Sequence, residues 1–164
     1  MKHRNTVLLV YMITLAGTLL LLGSILLAPY LKQIHSPWNS VLYSAFSPVC
    51  HQIESRCFFL FGFPLAVCTR CFGIYAGFLA GILTYSFIRG FTDLKMPKTI
   101  FFFLVSLPIA VDTTGNFWGL WSSPSWLRFI IGSIWGHILP YYLVTGVSEF
   151  LLHLKKRKEN RSRH

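Results

Sequence analysis

The stretch VCTRCFGIYAGFLAG, Val67 to Gly81, sets a CxxC pair at the mouth of a segment built like a membrane helix. From Cys71 to Ile88 the chain carries no charged residue, and Arg89 closes the run. A spanning helix needs about 20 mostly apolar residues. Gly73, Gly77 and Gly81 recur every four residues, so on a helix they line one face. Small residues at that spacing let backbones approach closely in lipid. Gly132 and Gly136 repeat the pattern. The two spans that carry them are expected to pack together, with Arg70 and Arg128 at the same end. The plainer alternative is that glycine is simply frequent in membrane helices.

Composition points the same way. Of 164 residues, 54% are hydrophobic and 12% charged, which makes lipid rather than water the expected solvent. A net charge of +10 raises the question of nucleic acid, but six of the fifteen Lys and Arg sit after Leu154, in KKRKENRSR. That distribution fits a basic juxtamembrane tail touching anionic lipid, and no nucleic-acid partner is expected.

The sequence therefore predicts an all-α membrane protein, a single integral domain with four transmembrane helices at about 6–31, 71–88, 99–121 and 126–153. The first apolar run is too long for a signal-peptide core and no A-x-A-like site closes it, so a retained helix is expected. Placing both ends in the cytoplasm puts Lys2, Arg4, Arg89, Lys95, Lys98 and six tail residues inside, against Lys32, Arg56, Arg70 and Arg128 outside: eleven against four. This positive-inside bias predicts an inner-membrane, multi-pass protein with cytoplasmic termini, a basic cytoplasmic tail at 155–164 and an extracytoplasmic loop at 32–70.

That loop carries the chemistry, a folded Cys/His segment between helices 1 and 2 at the outer face. Trp38, Leu42, Tyr43 and Phe46 lie near helical spacing, as in a short helix at the interface. FFLFGFPLAV is too short to cross and is broken by Gly62 and Pro64, so a re-entrant or hairpin-like turn is expected to lead back to Cys68. Two thiolates in a CxxC can share one tetrahedral ion at a helix start, where the dipole favours the thiolate. Cys50 and His51 lie upstream, so Cys50, His51, Cys68 and Cys71 form a candidate metal set, for zinc first, with iron or copper as alternatives. Both Cys50 and His51 can ligate only if the backbone turns sharply between them. Phe72 follows Cys71, so the c-type haem signature C-x-x-C-H is absent. Disulfides and inert buried thiols stay open as alternatives.

Asp112 lies about 21 Å along the third span from Lys98. An intramembrane carboxylate is costly and is usually paired or functional. Arg128 is the expected partner, His137 a second neighbour, and Asn116 shares the face of Asp112. A pair that only fixes helix packing is the bland reading.

CHQ at 50–52, Arg56, PLAVCTRCFGIYAGFLAG, the intramembrane Asp and a later LR…G…G resemble the DUF2085 family of small predicted membrane proteins of unknown function, over roughly Pro48 to Gly136. The resemblance implies a grouping of Cys50, His51, Gln52, Arg56, Cys68, Arg70, Asp112 and Arg128, and no reaction.

Three functions remain open at this point. In the first, a membrane metalloprotein acts on a lipid, small molecule or other anionic membrane substrate. Arg70 and Arg128 hold the anion, Asp112 accepts a proton, and Gln52 and His137 complete the candidate catalytic set. In the second, a thiol–disulfide oxidoreductase pairs Cys68/Cys71 and Cys50/Cys57 and passes electrons to a quinone, similar in outline to DsbB and vitamin K epoxide reductase proteins. The third is a non-enzymatic assembly or accessory protein. Cys57 discriminates, since a redox relay needs it and a Cys3His site does not.

Overall fold

A computed structural model describes residues 2–89, 91 and 96–161. Lys95 and Arg163, both used in the charge asymmetry, lie outside the described residues, as does the end of the tail at 162–164. Helix α1 spans Lys2–Gln33, α2 Trp38–Phe46, α3 Thr69–Ile88, α4 Thr99–Phe117 and α5 Ser125–Arg161. Four of these, α1, α3, α4 and α5, are long and apolar enough to cross a membrane. The architecture is mostly helical rather than all-α. A short hairpin, β1 at Cys57–Leu60 and β2 at Phe63–Cys68, is inserted between α2 and α3.

The hairpin follows from local chemistry. CFFL and FPLAVC are rich in aromatic and branched residues, which suit a pleated, half-buried ribbon. Leu60 pairs with Phe63 across a two-residue loop, and both loop residues have positive φ, Phe61 at 54° and Gly62 at 79°. Positive φ at both central positions matches the twist of the flanking strands. The expected hairpin-like turn is thus present. Because α2 and the hairpin intervene, the cysteine segment lies between the second and third helices of the chain, not directly between the first and second.

Helix α2 places Leu42, Tyr43 and Phe46 on a cluster formed by Ile25, Ala28, Cys50, Leu65, Ala66 and Val67, and leaves Trp38 and Val41 exposed. From Ala28, α1 continues five residues to Gln33. The Cys50 cluster is therefore recessed by about 7.5 Å from the end of α1.

Helices α3 and α5 run parallel in close contact. A Cβ on Gly73, Gly77 or Gly81 would lie 2.3, 2.1 or 2.2 Å from the carbonyl oxygens of Phe129, Ser133 and His137, respectively. In return Gly132 meets the carbonyl of Arg70 and Gly136 that of Ile74. The glycine faces are therefore an interface, as their spacing predicts, and Arg70 and Arg128 share one end of it.

The third span, expected to reach 121, stops at Phe117. Gly119 takes φ +70°, and the Leu120 amide donates to the Gly115 carbonyl at 2.9 Å. This left-handed cap satisfies a carbonyl that the helix end leaves open. The turn that follows brings Ser123 back beneath the end of α4.

Candidate metal centre

Strand β2 runs straight into α3, and Cys68 is the extended residue at the junction, with φ −67° and ψ 161°. Cys71 sits one helical turn later, so both thiols face the same way. Cys50 comes from the segment after α2, and its Sγ accepts the Cys68 amide at 3.2 Å. The Cys68 and Cys71 sulfurs are 3.5 Å apart. All three sulfurs lie within 4.8 Å of one another. Tetrahedral zinc with bonds of about 2.3 Å requires sulfurs about 3.8 Å apart, so the donor set fits such an ion. It is not a disulfide geometry, whose S–S bond is about 2.05 Å. All four cysteines are free thiols.

Electrostatics favours a thiolate at Cys68. Hydrogen bonds from Cys50 and then Cys71 hold its thiol well below the ordinary value, against the effect of burial. Cys57 behaves oppositely: burial first, then the nearby Cys68 and Cys50, push it up to about 12. It pairs in register with Cys68, yet its thiol donates to the Ile53 carbonyl at 3.3 Å. Cys57 is therefore outside the three-sulfur cluster.

His51 departs from the expected ligand set. Cys50 is buried while His51 is exposed, and its imidazole is not among the clustered donor atoms. Adjacent side chains point apart here, because the backbone does not turn sharply until Gln52, at φ +51°. His51 instead lines a cavity of about 370 Å3 beside the thiols. Gln52 fixes that turn. Its Nε2 donates to the Tyr43 carbonyl at 2.6 Å and the Ala66 carbonyl at 2.9 Å, which ties the Cys50 segment to α2 and β2.

Asp112 has a different partner from the one expected. Its Oδ2 accepts from Arg70, in the first turn of α3. Its Oδ1 accepts from the Ser123 hydroxyl and from Asn116 Nδ2, the latter at 3.1 Å. Arg128 donates to Asn116 Oδ1 at 2.8 Å and reaches Asp112 only through that amide. Asn116 fills the place because it lies one turn beyond Asp112 on the same face. His137 is not a neighbour of this network. It sits between α3 and α5, 3.2 Å from Thr84 Oγ1, with its carbonyl against Gly81. Gly81 is eleven residues from Arg70 along α3, about 16 Å.

The largely buried network Arg70–Asp112–Ser123–Asn116–Arg128 joins three helices next to the thiols. Ser123, which also donates its amide to Asn116 Oδ1 at 3.1 Å, was not legible as a site residue. In SSPS it reads as an ordinary serine before a helix start. Cys50, Cys68, Cys71, Arg56, Arg70 and Arg128 all border the one cavity.

The sequence model of a family described as "Predicted membrane protein (DUF2085)" matches residues 50–142. An uncharacterized protein of Methanocaldococcus jannaschii is 41% identical over 140 residues, covering 82% of this chain and 90% of its own length. No solved structure matches the chain.

Proposed function

The chain belongs to the DUF2085 family of predicted membrane proteins, and from that premise we propose that it is a membrane metalloprotein with zinc held by Cys50, Cys68 and Cys71. The observation that carries this reading is the convergence of three thiols from two chain segments within 4.8 Å. Three protein ligands leave one position for an oxygen donor, the usual form of a catalytic rather than a structural zinc site. When bound, the ion supplies Lewis acidity to a substrate oxygen. The chain's own residues do the rest. Gln52 sets the Cys50 turn, Arg70 holds Asp112 in place, Arg128 attracts an anionic group, and Asp112, the one carboxylate of the polar network, is the proposed proton acceptor. The charge count of eleven against four supports cytoplasmic termini and an outward-facing site in the cell membrane.

Elemental analysis of protein purified in detergent without added metal tests the reading. About one zinc per chain is expected. Cys50→Ala, Cys68→Ala or Cys71→Ala should each lower affinity at least about a hundredfold, while Cys57→Ser and His51→Ala keep the ion. Metal-free protein with Cys68 and Cys71 joined as a disulfide in cells would reject it in favour of the oxidoreductase.

A further inference from the structure

The cavity beside the thiols carries more positive charge than the protein neutralises. Arg70 is compensated by Asp112, and that is the one ion pair among the described residues. Arg128 is 5% exposed. Its Nη2 meets a neutral amide oxygen on Asn116, and its Nε, buried, has no partner. A buried guanidinium that makes no direct ion pair is costly. Arg56, exposed at the cavity rim, also has no carboxylate partner among the described residues. Two guanidiniums lining one cavity repel each other, and an anion between them offsets that repulsion.

We infer that Arg128 and Arg56, rather than the neutralised Arg70, form an oxyanion subsite of this cavity, and that its ligand is a phosphate group, free or on a lipid headgroup. The inference deepens the metal reading of the same site and rests on it for part of its charge balance. Three thiolates around a divalent ion carry one net negative charge. With Asp112 that makes two negatives against three guanidiniums, so one positive charge remains. The helices add to it. Parallel α3 and α5 both begin at this end, at Thr69 and Ser125, and their N-termini favour an anion. Arg128 Nε, buried and without a partner like Arg70 Nε, is hydrogen-bonding capacity that the network leaves unused. At about 370 Å3 the cavity is within the range of small-ligand sites.

Calorimetric titration of the full chain in neutral detergent tests this. The probes are inorganic phosphate and a short-chain phosphatidic acid, with diacylglycerol of the same chain length as the uncharged control. Saturable binding that weakens with salt is expected for at least one phosphate probe and not for diacylglycerol. Binding by inorganic phosphate assigns a free anion, and binding by phosphatidic acid alone assigns a headgroup; either upholds the subsite. Arg56→Gln should weaken binding at least about tenfold, since a charge-assisted hydrogen bond is lost, and Arg56→Lys should retain most of it. Arg56 is exposed, so its replacement leaves the fold intact, and Arg128→Gln serves as the buried counterpart. Failure of both phosphate probes to bind, or wild-type affinity in Arg56→Gln, overturns the inference. Zinc measured in the same samples separates the two ideas: phosphate binding without metal keeps the subsite and rejects the metal reading.

Discussion

The Asp112 carboxylate takes Arg70 on one oxygen and Ser123 with Asn116 on the other. Nearly enclosed, at 6% side-chain exposure, it would be an uncompensated charge without Arg70. Removing one partner of such a pair typically costs about 3–5 kcal/mol, because the other is left buried and unpaired. Arg70→Gln and Asp112→Asn should each destabilise the protein on that scale. A double-mutant cycle read by unfolding in detergent should give a coupling of about 1–3 kcal/mol for this pair. The coupling between Asp112 and Arg128, which pass through Asn116, should be smaller. A larger value for Asp112 with Arg128 would restore the pairing read from depth alone.

Among the elements, the α3–α5 pair is the rigid part of the site's frame. Its glycines have no alternative residue. At Gly77 a Cβ would sit 2.1 Å from the Ser133 oxygen and 2.7 Å from its carbonyl carbon and Cα, all backbone atoms that cannot rotate away. Gly77→Leu should therefore force the helices apart at a cost of at least about 1–3 kcal/mol, the usual penalty of overpacking. The variant's unfolding temperature in detergent reads this directly. Gly23→Leu, on α1 where a Cβ meets nothing within 4 Å, is the control and should leave it nearly unchanged. Helix α4 is held differently. Asp112 and Asn116 anchor one end, Ser106 accepts from Trp135 Nε1 at 2.9 Å, and the Lys98 carbonyl accepts from Tyr142 at 3.1 Å. Much of its remaining surface, including Phe101, Phe103, Leu104 and Leu107, is exposed, as suits a face turned to lipid.

At the scale of the whole molecule, the two ends of the bundle differ in character. One carries α2, the hairpin, the three thiols and the arginine cavity; the other carries Arg4, Arg89, Lys98 and the basic end of α5. With the second end in the cytoplasm, a cysteine introduced at Ser36, next to α2, should react with a membrane-impermeant maleimide on intact cells. One at Ser162 should react only after permeabilisation. The four native thiols are mutated to Ala in a control strain to give the background. Labelling of Ser162→Cys from outside at a rate like that of Ser36→Cys would reverse the orientation.

The solvent, the four long apolar helices, the turn at Gly62 and the glycine-faced pair of helices are legible in the chain, because each is written in a local period or a run length. The sequence also grouped Cys50, Cys68 and Cys71, since the CxxC spacing repeats one helical turn and Cys50 needs only a folded loop to return. Which groups meet depends on how the helices pack against one another. Spacing along a helix gives depth and face, yet not the rotation of one helix against another. That rotation gave Asp112 to Arg70, left Arg128 to Asn116, and turned His137 toward Thr84. The turn at Gln52 sent His51 outward, and the Cys57 thiol, although its residue pairs with Cys68 across the ribbon, turned to the Ile53 carbonyl rather than to the other thiols. These are choices among side chains a few ångströms apart, made by packing over the whole bundle, and no local pattern records them.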